Sequence, residues 1–404
     1  MPVQQKQIVT AYRYECELEF HGSDGKTSLE IQKEGLKYLT ITHNYDEFIM
    51  PVMYMKVKLF PHVYNAMVPD QGKGKIYLNL IKTKILGATS NVPKSIITEE
   101  FDYYMTDNPN TYKKLDEVSD TEYVTYKTCF IGLIKLDLQK KNHRIFEGIY
   151  KNTNSMSLIQ AATADFKTVI QPFDNNRNFE LFICPTITSI GKFIGYLNSQ
   201  ASFYNGGYMY YMDLDKTYLR SNDGSYIDAK DGDYSTIAFM IKEVLDSQSL
   251  TTGMIEDPNN KSYIVYLSGM DAQITVNRII NNLVGNVSSI NTADGIVNNA
   301  AVDTEKTTNV EVPDVQTMYI SIDDLAAKNL STRISENTVT LRIVKLDMDS
   351  KVFTPNKQYL LSNYDSNPKY CGRYYLTKKE EIYLRTGPEL VCQMTVTLKK
   401  CTKD

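Results

Sequence analysis

Hydrophobic and polar positions alternate with a period of two at the start of the chain. Tyr12, Tyr14, Cys16, Leu18 and Phe20 alternate with Arg13, Glu15, Glu17 and Glu19, the pattern of a strand with one buried face. A GSDGK turn at 22–26 leads into an extended SLEIQ run. Tyr38, Ile41 and the stretch Val52–Phe60 are rich in strand formers. KIYLNLIKTKIL (75–86) and EYVTYKTCFIGLIKLDL (122–138) complete a set of about five strands. Such a set predicts a meander or small antiparallel barrel over residues 1–147. The segment 88–121 holds Pro93, Asn108, Pro109 and Asn110 among many acids, including Glu99, Glu100, Asp102, Asp107, Asp116 and Glu117. It reads as a long exposed loop inserted in that sheet.

The period changes over 148–235. Leu158, Ala161, Ala162 and Phe166 fall near helical spacing within 155–170, with Ser155 or Ser157 as cap. A stronger helix is predicted within 185–204, where Ile190, Phe193, Ile194 and Leu197 form one apolar face and Thr188 or Ser189 caps the start. Asn205-Gly206-Gly207 forces a turn, and YMYYMDLDKTYLRS (208–221) reads as two short strands around an Asp-Lys turn. A helix or strand follows at 235–246, then strands at 262–268 and 272–279. Residues 281–312, rich in Asn, Ser, Thr and Ala, read as a second insertion, mobile or weakly helical. A short helix at 323–334 precedes four strands at 338–347, 357–363, 371–384 and 390–400. The predicted fold is mainly β with α+β parts: two antiparallel β-barrel domains, 1–147 and 236–404, flanking a small α/β central module, 148–235.

The chain's 404 residues allow several domains, and 42% hydrophobic with 23% charged residues is an ordinary globular balance. A net charge of -4 argues against a broad basic face for nucleic acid. There are 30 Tyr and no Trp, which suits half-buried strand surfaces. Cys16, Cys129, Cys184, Cys371, Cys392 and Cys401 are too scattered for a zinc site or a small disulfide framework, so free buried thiols are expected. The N-terminal stretch lacks the apolar core of a signal peptide, and no window has the apolar length of a membrane span.

Each candidate for chemistry fails at a named position. His21, His43, His62 and His143 stand alone, without zinc-hydrolase spacing. Gly72-Lys73-Gly74-Lys75 lacks the spacing, the following Ser or Thr and the helix of a phosphate loop. Asp213 and Asp215 begin like a calcium loop but meet Tyr218 where Gly is required, and Asp347 and Asp349 fail in the same way at Val352. No G-x-S-x-G elbow occurs. No acid lies in an apolar context that would make an acid catalyst, and Glu380 and Glu381 read as a charged strand edge. No catalytic, cofactor-binding or metal-ligating residue is expected.

The most specific stretch is TSIGKFIGYLNSQASFYNGGYMYYMDLDKTYLRSND, a helix, an aromatic-glycine turn and a hairpin. It resembles the central module of the baseplate hub protein of contractile phage tails, a family related to the hub-like half of type VI secretion spike proteins. The matching positions are Phe203, Tyr204, Gly206, Gly207, Tyr210, Asp213, Asp215 and Tyr218. The resemblance implies a homotrimer whose paired barrels form a ring between a six-fold tail tube protein above and a trimeric spike protein below. It also implies contacts with baseplate wedge proteins, DNA passing through the lumen, no cofactor, no membrane and residence in a virion assembled in the host cytoplasm. The chain stops at Asp404, after the last barrel strand, so a needle or a lysozyme activity would belong to another chain. Other readings are a wedge or tube-initiator protein of the same tail, or, of a different class, a cell-wall-degrading tail enzyme or a carbohydrate-binding receptor protein.

Overall fold

A computed structural model describes residues 11–45, 49–85, 93–106, 126–201, 203–204, 208–213, 216–221, 236–242, 253–257, 262–268, 272–279, 284–291, 296–301, 308–312, 337–343, 352–355, 357–363, 371–387 and 389–400. In chain order the first elements are β1 (Ala11–His21), β2 (Ser28–Ile31), β3 (Leu36–Asn44), β4 (Ile49–Leu59), α1 (Pro61–Met67), β5 (Lys75–Ile85), β6 (Pro93–Thr106), β7 (Lys127–Ile134) and α2 (Leu136–Asn142). A middle group comprises β8 (Phe146–Asn154), α3 (Ser155–Ala162), β9 (Lys167–Ile170), β10 (Asn178–Ile187), α4 (Ile190–Ala201), β11 (Tyr208–Asp213) and β12 (Lys216–Ser221). Among the described residues the remaining elements are strands: β13 (Thr236–Lys242), β14 (Gly253–Asp257), β15 (Ser262–Ser268), β16 (Ala272–Ile279), β17 (Val284–Asn291), β18 (Ile296–Ala301) and β19 (Thr308–Val312). They end with β20 (Asn337–Ile343), β21 (Gln358–Asn363), β22 (Gly372–Thr386) and β23 (Glu389–Lys400). The fold is thus mainly β, as the periodicity predicts.

An antiparallel barrel closes in the order β3-β4-β7-β6-β5-β1-β23-β22 and back to β3. Its wall follows the two-residue period. Tyr14, Cys16, Leu18 and Phe20 of β1 point inward, as do Met53, Met55, Val57 and Leu59 of β4. Where β4 ends, Pro61 opens α1, which adds Val63 and Met67 to the barrel core. The Tyr103 hydroxyl fastens this helix by donating to the Met67 carbonyl at 2.6 Å.

The last two strands belong to two structures at once. The second half of β22 pairs with β3, while its start pairs with β21. A register shift between Leu376 and Lys378 marks the hand-over. Likewise β23 meets β1 at Tyr14↔Leu390 and β20 from Met394 to Lys399. A second run, β14-β15-β13-β21-β22-β23-β20-β16, therefore continues directly from the barrel. Within it β13 is parallel to both β15 and β21, where an all-antiparallel arrangement is expected. Ile237, Phe239, Val265, Leu341 and Tyr359 join the barrel residues in one core.

The middle group has its own core. The α4 face Ile190, Phe193, Ile194 and Leu197 is buried there as the helical spacing predicts, and the Ser189 hydroxyl accepts from the Lys192 N–H at 3.3 Å as its cap. For α3 the cap is Asn154, whose side chain accepts from the Ser157 N–H at 2.8 Å. This corrects the choice of Ser155 or Ser157: the helix starts at Ser155, at least one position earlier than a cap at either hydroxyl would place it.

Other expectations are corrected. The reading of 88–121 as an exposed loop fails over Pro93–Thr106, which is β6. Ile96, Phe101 and Tyr103 give it a buried face, and the Lys75 ammonium, 2.5 Å from Asp102, neutralises one of the acids that suggested a loop. Residues 107–121 lie outside the described residues. The expected strand to 138 stops at Ile134 and turns into α2. Within 185–204, Pro185–Ile187 finish β10 and the helix starts at Ile190, directly after the expected Ser189 cap. The insertion 281–312 forms a sheet of β18-β17-β19 rather than a mobile or helical stretch; its Val and Ile positions lie among small polar residues that mask the strand signal. The helix expected at 323–334 lies outside the described residues.

Candidate functional site

The resemblance-bearing residues build a seam between the two cores. Strand β11 reads YMYYMD, almost wholly apolar, because it is covered on both faces. Met209 and Tyr211 enter the barrel core, while Tyr210 enters the middle core. Tyr211 stands edge-on to Tyr45 at 5.4 Å and stacks on Tyr218 at 5.1 Å. Phe203 and Tyr204 are fully buried; the Asn198 side chain accepts from the Phe203 N–H at 3.1 Å, and the Tyr204 hydroxyl donates to the Gln171 carbonyl at 2.8 Å. Asp213 pairs in register with Lys216. Gly206, Gly207 and Asp215 lie outside the described residues.

A second constellation sits on β3 and β22, where the sequence pattern of Glu380 and Glu381 suggests a charged strand edge. In fact β22 is interior to the sheet, flanked by β3 and β23. The two-residue period turns Lys379, Glu381 and Tyr383 inward. Lys379 and Glu381 are 6% and 5% exposed, with ammonium and carboxylate 2.8 Å apart. The Tyr383 hydroxyl donates to the other carboxylate oxygen at 2.5 Å. His43 lies directly across from Lys379.

Burial pushes the Glu381 carboxyl up, but the Lys379 charge, His43 and the hydrogen bonds from Lys379 and Tyr383 outweigh it and hold it at about 2. Burial and the neighbouring Lys379 push His43 down to about 3, against the pull of Glu381. Burial and Glu381 push the Tyr383 phenol well above its usual value. At neutral pH the cluster is an ion pair beside a neutral imidazole, with no group poised to exchange a proton. The bonds run along one strand, β22, with His43 facing them from β3, and the arrangement is not tuned for acid–base catalysis.

The cluster faces a cavity of about 710 Å³. Its walls come from β4, β6, β7, β22 and α2, with Phe353 and Met212 completing them. Two buried polar atoms on this cavity, His43 Nδ1 and Asn142 Oδ1, have no hydrogen-bond partner. Among the described residues no group of three or more His, Cys, Asp and Glu could hold a metal ion, and no helix is long and apolar enough to cross a membrane. Among the described residues five cysteines are free thiols, four of them buried, while Cys371 is half-buried.

The fold recurs in solved structures at low sequence identity. It is similar to the 43 kDa tail protein of prophage MuSo2 from Shewanella oneidensis, with a TM-score of 0.55 and 11% identity over 95% of this chain and 98% of that one. It is similar to the tail protein from Neisseria meningitidis MC58, with a TM-score of 0.52 and 9% identity over 96% and 97% of the two chains. A chain of the half-lidded Francisella PdpA-VgrG complex gives a TM-score of 0.52 at 9% identity, covering all of this chain and 60% of that one. No curated protein matches the chain in sequence. The model of the Bacteriophage PBS1 gene 109 protein family matches residues 5–401, nearly the whole length, and the chain belongs to that family.

Proposed function

We propose that the chain is a structural, non-catalytic component of a phage tail and serves as the hub of its baseplate. The observation that carries this reading is a fold shared over 95% of the chain with a phage tail protein. The shared strands β22 and β23 support it mechanically, because they fuse the barrel and the second run through one core. A protein that transmits load along a tail axis needs such fusion rather than a hinge.

In this reading residues 1–147 and 236–404 are the two tube domains and 148–235 the central module, with β22 and β23 lent back to the first tube domain. Phe203, Tyr204, Tyr210 and Tyr218 are packing residues of that module. Three copies form a ring whose two tube domains per chain present six similar surfaces to the tail tube protein, with the spike protein below and wedge proteins outside. DNA passes through the lumen, and the protein resides in the virion after assembly in the host cytoplasm.

The test is light scattering of the purified full chain, alone and with the spike protein of the same phage, followed by imaging of the particles. A three-fold ring is expected. A monomer under both conditions refutes the hub assignment, and clearing of peptidoglycan in a zymogram refutes the non-catalytic one.

A further inference from the structure

The barrel wall has a gap one strand wide. Strand β7 lies between β4 and β6 but stops at Ile134, opposite Asp102 of β6. Its last pair with β4 is Met53↔Leu133. Beyond this point Ile49–Val52 of β4 and residues 93–101 of β6 have no strand partner on that side among the described residues. Two strands that share a neighbour are about 10 Å apart, twice the usual spacing. The chain leaves the gap through Lys135 into α2, and the cavity lies behind it, lined by Met50 and Val52 on one side and Ile96 and Phe101 on the other.

We propose that this slot accepts an extended, largely apolar and neutral segment of a partner polypeptide, which adds as a strand between β4 and β6. Four features specify that occupant. The Glu100 carbonyl points into the slot, where Lys135 Nζ meets it at 2.6 Å. By the two-residue period Thr98 presents its backbone N–H and C=O the same way, an open edge that only another backbone completes. Alternate side chains of an added strand enter the apolar cavity. There Asn142, 8% exposed, offers an unpartnered Oδ1, and His43 an unpartnered Nδ1.

The rim carries Val52, Tyr104 and Tyr54 at 52%, 46% and 36% exposure, apolar surface that an occupant covers. Lys135 already pairs with Glu99 at 2.7 Å, so the edge asks for no countercharge. Pro51 takes one donor from β4, leaving β6 to carry most of the pairing. The slot does not depend on the hub reading: a monomer could carry it.

The probe is a library of synthetic octapeptides without charged residues, titrated against the full chain by fluorescence polarisation. Binders are expected to alternate apolar residues and to lose about tenfold or more in affinity when alternate backbone nitrogens are methylated. Thr98→Pro, at a position whose N–H faces the slot, leaves the far-ultraviolet circular dichroism unchanged and causes a similar loss. Asn142→Leu weakens the same peptides. The proposal is overturned if no peptide in the library binds, or if binding ignores both N-methylation and Thr98→Pro. It is also overturned if the neutral dye N-phenyl-1-naphthylamine binds saturably while the peptides do not, which would mark a small-molecule cavity.

Discussion

Replacing Lys379 with Met removes the ammonium that sits 2.8 Å from the Glu381 carboxylate and leaves the carboxylate buried with the Tyr383 hydroxyl. Breaking a buried pair from one side costs about 3–5 kcal/mol. A second route gives a similar size. Glu381 is held at about 2 instead of its ordinary 4.5, and at about 1.4 kcal/mol per pH unit that is roughly 3 kcal/mol, shared among Lys379, His43 and Tyr383. The sign follows from linkage. A depressed carboxylate contributes stability above 4.5 that is lost as pH falls toward about 2. Without Lys379 the desolvation is less opposed, Glu381 moves upward, and the variant weakens relative to the native chain as pH rises. Urea unfolding at about pH 4 and about pH 7, followed by tyrosine fluorescence and far-ultraviolet circular dichroism, reads the difference. The loss is expected to be larger at the higher pH. The double variant Lys379→Met/Glu381→Gln, which keeps an acceptor for Tyr383, recovers most of it. A loss below about 1 kcal/mol, the range of exposed pairs, or a double variant as unstable as the single one, refutes the reasoning.

Burial pushes His43 down to about 3, so its folded form resists the proton that the unfolded chain takes up from 6.5 downward, and stability falls over that window. His21 is held upward by the Glu100 carboxylate and then Glu19, so its contribution is present below 6.5 and fades as pH rises through its folded value; histidine hydrogen exchange read by mass spectrometry separates the two. Tyr211→Ala, at the seam between the cores, is expected to cost about 3–5 kcal/mol and to expose both β11 flanks to limited proteolysis. Ser189→Ala removes the α4 cap and is expected to cost about 1 kcal/mol in thermal unfolding. Burial pushes Cys16 up to about 12, so iodoacetamide in native buffer labels Cys371 well before Cys16, an order that peptide mapping checks.

Legibility in the sequence followed the physics of each element. Strand β1 was plain because one face is wet and the other dry, so Tyr14 to Phe20 alternate. The α4 stripe was plain for the same reason at helical period. Strand β6 was hidden because its acids find partners, Lys75 for Asp102 and Lys135 for Glu99, and unpaired acids are what a loop suggests. The charged cluster was hidden because Lys-Lys-Glu-Glu at 378–381 looks like solvent-facing sequence until β3 is laid beside it, a pairing more than three hundred residues apart that no local pattern encodes. The hairpin of β11 and β12 was found through its turn chemistry, while its role as a seam depended on which cores its two faces meet.

The two shared strands set an order of events in the cell. Strands β1 to β7 emerge from the ribosome before the other described strands, yet their barrel waits for β22 and β23, made after all of those. The Arg385 Nε that donates to the Leu36 carbonyl at 3.0 Å is synthesised 349 positions after it. Until then β1 and β3 present open edges, the surfaces on which nascent chains misassociate. Loop closure over such separations is slow, so a ribosome that stalls before Gly372 releases not a truncated second domain but an unclosed first one.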